Sequence, residues 1–302
     1  MSKVFSIRSC FTAAPGTALV EADYRSAEIY TFGYLSGCLK LVKDADSDLH
    51  SRGAVTRMGA PKWDGFEERK KAPGAWRKEW DHLRIASKAL LFGIFYQRGP
   101  ASIAREILDA THGKTACTKA SAQGMIDAFF EEYPEGRLYT EFCKRCVVDP
   151  GYITNAYGRR RRFYLKENDE RSFKAACERE CVNMPIQGTV ADTINVALYN
   201  LWSWRRYAIS PVLYRLMLPV HDAVLSEVPF EHVPGFVDTV LPVCMTERAV
   251  VPTWKQALWP TQQFKLETDI EVSLRWGAKT TVEEFIAAGM DKAMAKRFGH
   301  KT

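Results

Sequence analysis

The spacing of apolar positions along the chain predicts a mixed fold of helices and strands. A short apolar run over residues 18–22 predicts a strand that ends at Asp23. Two apolar runs within residues 216–229 flank a polar His-Asp pair, a pattern typical of a β-hairpin. A further hairpin and a further strand are predicted over residues 151–163 and 266–277.

Helical periodicity dominates much of the remaining sequence. The predicted helices cover residues 24–40, 47–58, 80–98, 118–133 and 171–202, and an amphipathic tail helix begins at Thr281. Ser47 is an N-cap candidate with Asp48 in the first helical turn, and Pro134 is expected to end a helix. An irregularity is expected near Pro185 and Gly188, because proline lacks an N–H and glycine is a poor helix former.

Length and composition narrow the class of protein. The 302 residues suffice for two domains or one large one, and the 46% hydrophobic fraction excludes a disordered, collagen-like or coiled-coil chain. No apolar run approaches about 18 residues and the N-terminus lacks a secretory signal, so we expect a soluble, cytoplasmic protein with no membrane partner. The net charge of +6 permits a nucleic-acid partner.

The predicted helix over residues 80–98 would carry a cationic and aromatic stripe. The stripe consists of Arg84, Lys88, Phe92 and Tyr96. These residues are spaced by four positions, which places them on one face of a helix. A nucleoside triphosphate has the matching polarity, since its phosphates suit the cations and its base can stack on a ring. The alternative is an ordinary amphipathic helix with buried rings and solvated charges.

Two aspartates are candidates for a metal site. Asp23 and Asp222 each follow apolar sequence of the β type, although they lie far apart in the chain. Two aspartates at adjacent strand ends could bind two Mg²⁺ ions, the arrangement used for phosphoryl transfer. The alternative is that Asp222 is only a turn residue, a position that aspartate favours.

The cysteines leave two interpretations open. Among the eight are two close pairs, Cys143 with Cys146 and Cys177 with Cys181. Four thiolates could bind zinc, but the second spacing is unusual for such a site. Small buried thiols on two helices are the favoured interpretation, and a secreted disulfide framework does not suit a chain of this length.

Several segments in sequence order resemble the motifs of the family-A DNA polymerases, the group of bacterial DNA polymerase I. DYRSAEIY (23–30), RIASKALLFGIFYQ (84–97) and LPVHDAVLSEVP (218–229) resemble motifs A, B and C. The other matching segments are IRSCF (7–11), SDLH (47–50), GYITNAYGRRRRF (151–163) and ERECVNMPIQGTVADTINVAL (178–198). Each motif alone is weak, but their shared order identifies the chain as a member of this family.

The resemblance implies an α+β fold: a right-hand palm with an antiparallel sheet and helical fingers, with the thumb and the N-terminal palm absent. It implies that Asp23 and Asp222 bind two Mg²⁺ ions, with the Tyr24 carbonyl completing one metal shell. The primer 3′-OH would attack the α-phosphate of a dNTP in line, and pyrophosphate would leave. Lys88 would be the third catalytic residue, placed to protonate the pyrophosphate.

The resemblance also assigns contacts to the dNTP and to primer-template DNA. The residues expected to contact the dNTP are His50, Arg84, Lys88, Phe92, Tyr96 and Glu28. The basic residues would bind the triphosphate, the rings would pack against sugar and base, and Glu28 would crowd out a ribose 2′-OH. The residues expected to bind DNA are Arg159, Arg160, Arg161, Arg179, Asn183, Gln187 and His221. A solvated hairpin edge is the alternative for the arginine run.

The sequence departs from the family at several motif positions. Ala223 stands where glutamate is usual in motif C, so we expect an altered metal affinity without loss of activity. In motif B, Leu91 replaces asparagine and Gln97 replaces glycine, which puts the hinge of finger closure in question. In motif A, Arg-Ser-Ala at residues 25–27 replaces Ser-Gln-Ile.

The family has a thumb, the first palm strands and an exonuclease-type domain before motif A. We therefore expect this chain to be the catalytic subunit of a split polymerase, with a second polypeptide that supplies the thumb, the N-terminal palm and an exonuclease. Such a split gene would fit a phage or another mobile element. Without those strands the sheet would have an unpaired edge. Residues 61–80 and the tail after residue 277 are candidate docking surfaces, with solvated insertions as the alternative.

The motifs suggest a division of the chain and two alternative functions. The predicted regions are a palm start with the first fingers helices (1–60), fingers (61–150), palm (151–280) and a tail helix (281–302). A non-catalytic DNA-binding subunit of a replication complex is one alternative. Such a subunit would tolerate loss of Asp23 or Asp222, so the presence of both argues against it. A single-subunit RNA polymerase is the other, and Glu28 argues against it because such enzymes place a small residue there.

Overall fold

A computed structural model describes residues 7–46, 49–58, 74–166, 168–207 and 212–299. The predicted N-cap at Ser47, with Asp48, and most of the insertion at residues 61–80 lie outside these ranges. No helix within them is long and apolar enough to cross a membrane.

The chain forms two compact units. The sheet unit comprises residues 1–27, 190–251 and 263–302, and the helical unit comprises residues 28–189 and 252–262. The division into four regions that the motifs suggest remains a prediction, because the two units divide the chain in a different way and do not test it.

Two antiparallel sheets are present in the described residues. The strands are β1 (Thr17–Tyr24), β2 (Tyr152–Thr154), β3 (Arg160–Arg162), β4 (Arg215–Val220), β5 (Ala223–Pro229) and β6 (Thr268–Ser273). The sheet unit holds a four-stranded sheet in the order β4-β5-β1-β6, and β2 pairs with β3 in the helical unit. The predicted strands and hairpins are confirmed. β1 has a neighbour on both sides, while β4 and β6 lie at the edges of the sheet.

Helices make up most of the rest of the described chain. They are α1 (Ala27–Ser36), α2 (Leu39–Ala45), α3 (Leu49–Arg57), α4 (Gly74–Phe95), α5 (Pro100–Ala110), α6 (Lys119–Glu132), α7 (Pro134–Arg145), α8 (Arg171–Tyr207), α9 (Val233–Gly235), α10 (Val282–Ala287) and α11 (Lys292–Phe298). Short 3-10 helices cover Ile7–Cys10 and Phe230–His232, and π-helical turns cover Phe236–Val240 and Pro242–Glu247. The predicted α+β fold class is confirmed.

Several predicted helix boundaries are wrong. The single helix predicted over residues 24–40 is divided into α1 and α2 at Gly37. Pro134 ends α6 but also begins α7, because proline is well tolerated at the first helical position, where its missing N–H would be unpaired anyway. α8 continues through Pro185 and Gly188 without a break, since tertiary packing overrides local propensity. The tail forms two helices where one was predicted, and α5 and α7 were not predicted.

β1 is buried on both faces over most of its length in the sheet unit. The buried cluster there contains Leu19, Leu225 and Trp276, with partly buried Ala13, Leu218 and Val220 against it. Tyr24, at the end of β1, is 1% exposed and its hydroxyl donates a hydrogen bond of 2.6 Å to the Met245 carbonyl. Because successive strand residues face opposite sides, this anchor places Asp23 on the face that also carries Leu19, and Asp23 is exposed there at the end of the strand.

A charge network joins α2, α3 and α6 within the helical unit. Glu132 accepts hydrogen bonds from Lys40 at 3.3 Å and from Arg52 at 3.0 Å. Glu132 also pairs with Arg57, whose guanidinium lies over the Phe129 ring. One carboxylate thus connects three cations, which fixes the position of α3 and of the predicted nucleotide-binding histidine on it.

Candidate active site

The two predicted catalytic aspartates lie next to each other at one end of the four-stranded sheet. Asp23, the second-last residue of β1, faces Ala223 of β5 across the antiparallel register. Asp222 immediately precedes β5, and its carbonyl accepts a hydrogen bond of 3.1 Å from the Tyr24 N–H. The carboxyl groups of Asp23 and Asp222 lie within hydrogen-bond reach of each other. The structure therefore brings together two acids that are far apart in sequence.

A tight turn presents Asp222. Only His221 and Asp222 separate β4 from β5, and His221 has a φ of +55°. A two-residue hairpin turn requires this left-handed conformation at its first position. It is strained for most side chains but tolerated better by histidine. The turn leaves His221 exposed and fixes Asp222 beside the end of β1.

The surroundings of Asp23 are negative. Its pKa is raised from 3.8 to about 6. The largest cause is loss of hydration between the strands, followed by the negative charges of Asp222, Glu21 and Asp269. The residue is still exposed to solvent, so a cation can reach it. A divalent cation would offset this excess of negative charge.

Asp269 is a neighbour of the aspartate pair that sequence analysis missed. It lies in β6 directly across from Asp23, on the flank opposite Ala223. Arg25 donates to one Asp269 oxygen from Nε at 3.0 Å and from Nη2 at 2.5 Å. Alternation over residues 266–277 predicts a strand but does not fix its register, which is what places Asp269 here.

The donor atoms of the aspartate pair fit magnesium. Carboxylate oxygens suit this ion, which is commonly bound by one or two carboxylates together with substrate phosphates and water. Among the residues that the structure describes, no group of three or more His, Cys, Asp or Glu side chains is arranged to hold a metal ion. Asp23 and Asp222 would therefore share their metal with substrate or water, and Ala223 offers no further carboxylate.

The cysteines considered as a zinc site are buried free thiols. Burial raises the pKa of the Cys143 and Cys181 thiols, and that of Cys146 to about 11. Within the part of the chain that the structure describes, these four cysteines included, no group of three or more His, Cys, Asp or Glu side chains is arranged to hold a metal ion. The geometry supports their interpretation as packed core residues.

The cationic and aromatic stripe is present on α4. The Lys88 Nζ lies 5.6 Å from the centre of the Phe92 ring, and the Phe92 and Tyr96 rings stack with centroids 6.3 Å apart. His50 of α3 also stacks on Phe92, with ring centroids 6.3 Å apart. Arg84 lies one helical turn before Lys88. Two helices of the helical unit thus contribute to one surface with cations at one end and rings at the other.

The end of α4 shows how two motif B positions act. A Cβ at Gly93 would lie 2.5 Å from Ile103, so glycine is needed for α5 to pack this closely. Gln97 has a φ of +53°, and its N–H and side-chain amide both donate to the Ile94 carbonyl, at 3.0 and 2.9 Å. Arg98 N–H donates to the Gly93 carbonyl at 2.8 Å. Gln97 therefore caps the helix in the conformation that glycine usually adopts.

The arginine-rich hairpin β2–β3 packs on α8 at a glycine. The Asn155 side chain accepts a hydrogen bond of 2.9 Å from the Arg159 N–H and so closes the hairpin turn. Ala156 N–H donates to Thr189 Oγ1 of α8 at 3.2 Å. A Cβ at Gly188 would lie 3.2 Å from the Asn155 amide. The absence of a side chain at Gly188 lets the hairpin approach the helix.

The hairpin arginines are exposed and partly braced. Arg159, Arg160, Arg161 and Arg162 are all exposed. The Arg160 guanidinium lies 4.1 Å from the centre of the Tyr152 ring, and Arg161 forms an ion pair of 2.7 Å with Glu180. These contacts hold the basic side chains at the surface of the helical unit.

The polar residues predicted on α8 share one face. They are Arg179, Asn183 and Gln187, spaced by four positions. The Asn183 amide donates to the Tyr96 carbonyl at 3.4 Å, so this face adjoins the end of α4. Glu28 lies half-buried in the first turn of α1, and Leu91 is a core residue with 1% exposure.

The fold and the site together define an α+β protein with paired carboxylates at the end of an antiparallel sheet and a cationic, aromatic helix in its other unit. The sequence matches the profile of DNA polymerase family A over residues 1–279. The chain therefore belongs to DNA polymerase family A.

Relatives and a solved structure agree with this assignment. The chain is 29% identical over 228 residues to DNA polymerase I, thermostable, of Thermus aquaticus, covering 74% of this chain and 24% of that protein. It is 26% identical over 280 residues to DNA polymerase I of Rhizobium leguminosarum, covering 89% and 24%. The POL domain of Pol1 from M. smegmatis, in complex with DNA primer-template and dNTP, matches with a TM-score of 0.69 and 25% identity, covering 89% of this chain and 42% of that one. The chain spans about a quarter of the length of these polymerase I relatives.

Proposed function

We propose that the protein is a DNA-directed DNA polymerase that transfers nucleotides from dNTPs to a primer 3′-OH. The observation that carries the proposal is the Asp23–Asp222 pair at the end of the antiparallel sheet, in a chain of DNA polymerase family A. The matching POL domain of Pol1, whose structure contains DNA primer-template and dNTP, supports the same substrates.

Asp23 and Asp222 would bind two Mg²⁺ ions, with the Tyr24 carbonyl as a further ligand. Mg²⁺ at this position would neutralise phosphate charge and make the primer hydroxyl a better nucleophile. The anchored Tyr24 side chain keeps this end of β1 in place. Because Ala223 removes one acid from motif C, we expect a weaker metal affinity than with glutamate there, and retained activity.

The α4 stripe would bind the incoming dNTP. Arg84, Lys88 and His50 would bind the triphosphate, for which Arg offers a planar fork and Lys a compact charge. Phe92 and Tyr96 would present ring faces to the sugar and the base. Lys88 would also donate a proton to the leaving pyrophosphate. The in-line attack then depends mainly on positioning and charge neutralisation.

Exposed groups of the hairpin, of α8 and of the β4–β5 turn would bind the primer-template. They are Arg159, Arg160, Arg161, Arg179, Gln187 and His221, together with the half-buried Asn183. Arginines bind backbone phosphates without sequence preference. Amide donors can test the minor-groove acceptors that every correct base pair presents. Glu28 would exclude ribonucleotides by crowding a 2′-OH.

The polymerase would work with a second polypeptide that supplies a thumb, N-terminal palm strands and an exonuclease. Within the described residues β4 and β6 are the edge strands, which supports this proposal because open sheet edges can pair with further strands. Purification of the protein from its native source should yield a second polypeptide in equal amount. Processive primer extension by the 302-residue chain alone would contradict the split arrangement.

Primer extension tests the polymerase function. The assay uses dNTPs, Mg²⁺ and the protein purified together with its second polypeptide, here called the native preparation. In this assay Asp222→Ala should lower the extension rate by about a thousandfold or more. Asp109→Ala, an exposed aspartate on α5, is the matched control and should extend like the wild type. Equal extension by Asp222→Ala would remove the catalytic claim and favour a non-catalytic DNA-binding subunit.

A further inference from the structure

One loop lies between two segments of the sheet unit in sequence but packs with the helical unit. Pro252–Gln262, here called the clasp, groups with the helical unit although its flanking residues belong to the sheet unit. At its base Val251 and Phe264 exchange backbone hydrogen bonds of 2.8 and 3.2 Å. Within it the Trp254 N–H donates to Thr261 Oγ1 at 2.7 Å. The clasp is thus a closed loop with its own internal bonds.

The clasp binds the outer edge of β2 through one side-chain amide. Gln256 Oε1 accepts hydrogen bonds from the Thr154 N–H at 2.5 Å and from the Thr154 hydroxyl at 2.9 Å. Gln256 Nε2 donates to the Tyr152 carbonyl at 3.1 Å. Gly151 and Asn155 form backbone hydrogen bonds with the two residues that flank β3. Because alternate residues of a strand direct their main-chain groups to opposite sides, those of Tyr152 and Thr154 point away from β3. Gln256 therefore pairs with β2 as a neighbouring strand would.

Two tryptophans fix the clasp to the helices. Trp254 Nε1 donates to the Thr154 carbonyl at 2.8 Å, and Trp259 Nε1 donates to the Leu35 carbonyl at the end of α1 at 2.9 Å. Both indoles pack against α7, with ring centroids 5.7 and 6.5 Å from Tyr139. The clasp is therefore held to α1 and α7 while its glutamine holds β2.

The hairpin needs such support for a physical reason. A two-stranded hairpin is marginally stable by itself in water. The three residues of β3 are all arginines, Arg160–Arg162, and like charges on neighbouring residues repel. Arg160 lies over the ring of Tyr152, whose carbonyl accepts the bond from Gln256. A shift of β2 would therefore move the Arg160 guanidinium as well.

We propose that Gln256 is a positioning residue for nucleic-acid binding: through β2 it holds the Arg160 guanidinium of the arginine hairpin in the geometry that contacts backbone phosphate. This inference rests on the proposed DNA contact of the hairpin arginines. It adds the clasp as the element on which that contact depends.

The test is a double-mutant cycle on DNA binding with the native preparation. Fluorescence anisotropy would measure the Kd of a primer-template over a series of salt concentrations for Gln256→Ala, Arg160→Ala and the double variant. Gln262→Ala, an exposed glutamine of the same loop, is the matched control. Amide hydrogen exchange at Thr154 reports the hairpin geometry without DNA.

Gln256→Ala should weaken binding of the primer-template about fivefold. It should also reduce the slope of log Kd against log salt concentration, by about 0.9 for each phosphate that the protein no longer neutralises. The double variant should bind little worse than Arg160→Ala, because both changes act on the same interaction with phosphate. The Thr154 amide should exchange faster in Gln256→Ala, and Gln262→Ala should match the wild type in every measurement.

Suppose that Arg160→Ala alone weakens binding. The positioning role is then overturned if Gln256→Ala binds DNA with wild-type affinity, or if the losses of the two single variants add in full in the double variant. Wild-type affinity and salt slope of Arg160→Ala would instead overturn the proposed DNA contact of this hairpin, and the positioning role with it. The two failures are therefore distinguishable by the Arg160→Ala variant alone.

Discussion

Removing the charge of Asp23 should stabilise the protein at neutral pH. Loss of hydration and the negative charges of Asp222, Glu21 and Asp269 raise its pKa from 3.8 to about 6 in the folded state. Between about pH 4 and pH 6 the Asp23 carboxyl therefore keeps its proton in the folded protein, whereas in the unfolded chain it has lost that proton. As the pH rises through this window the free energy of unfolding falls, and the penalty is complete above about pH 6.

Asp23→Asn removes this penalty with little change of shape, and the amide can still donate a hydrogen bond to Asp222. The gain in unfolding free energy at pH 8 is about 1 kcal/mol, after allowance for the solvent that screens this exposed carboxylate. For a protein of this size that corresponds to a rise in Tm of about 1–2 °C. Below about pH 4 the difference should vanish, since both side chains are then neutral.

Thermal unfolding followed by circular dichroism between pH 4 and pH 8, in a chelator, measures this effect. Glu141→Gln, at an exposed position in the body of α7, is the control and should leave the Tm unchanged. An equal or lower Tm for Asp23→Asn at pH 8, or a difference that persists at pH 4, would refute the electrostatic reasoning.

Three further outcomes are expected. Gly93→Ala should lower the unfolding free energy by about 2 kcal/mol in urea titrations, because its methyl group would overlap Ile103; an unchanged midpoint would show that α5 can move away. Gln97→Gly should be more stable than Gln97→Ala by about 1 kcal/mol, since both lose the amide bond to Ile94 but only glycine relieves the positive φ. Glu28→Ala should incorporate ribonucleotides in primer extension, and unchanged discrimination would exclude Glu28 from sugar selection.

The elements that carry the aspartates could be predicted because local patterns determine them. The apolar run before Asp23 and the two runs around Asp222 are short-range signals, and β1, β4 and β5 form where those runs lie. The four-residue spacing of Lys88, Phe92 and Tyr96 likewise predicts a shared helix face, which the stacked rings display. Motif order then supplied the family, which the fold supports.

Other features depend on long-range geometry that local patterns do not specify. Asp269 lies opposite Asp23 only in one register of β6 with β1, and alternation leaves register undetermined. Gln97 adopts a glycine-like conformation because its amide reaches Ile94, so the missing glycine does not remove the helix cap. The clasp joins the helical unit through tryptophan and amide contacts that have no periodicity.

The paired carboxylates of the sheet are proposed to perform nucleotidyl transfer, and this is the central claim. Its most direct test is the rate of single-nucleotide primer extension by Asp23→Asn, measured at pH 8 with Mg²⁺ on the native preparation. Since this variant is expected to be more stable than the wild type, unfolding cannot explain a loss of activity. We predict a rate lower by about a thousandfold or more, together with the raised Tm that is measured in a chelator. Wild-type extension by Asp23→Asn would contradict the claim.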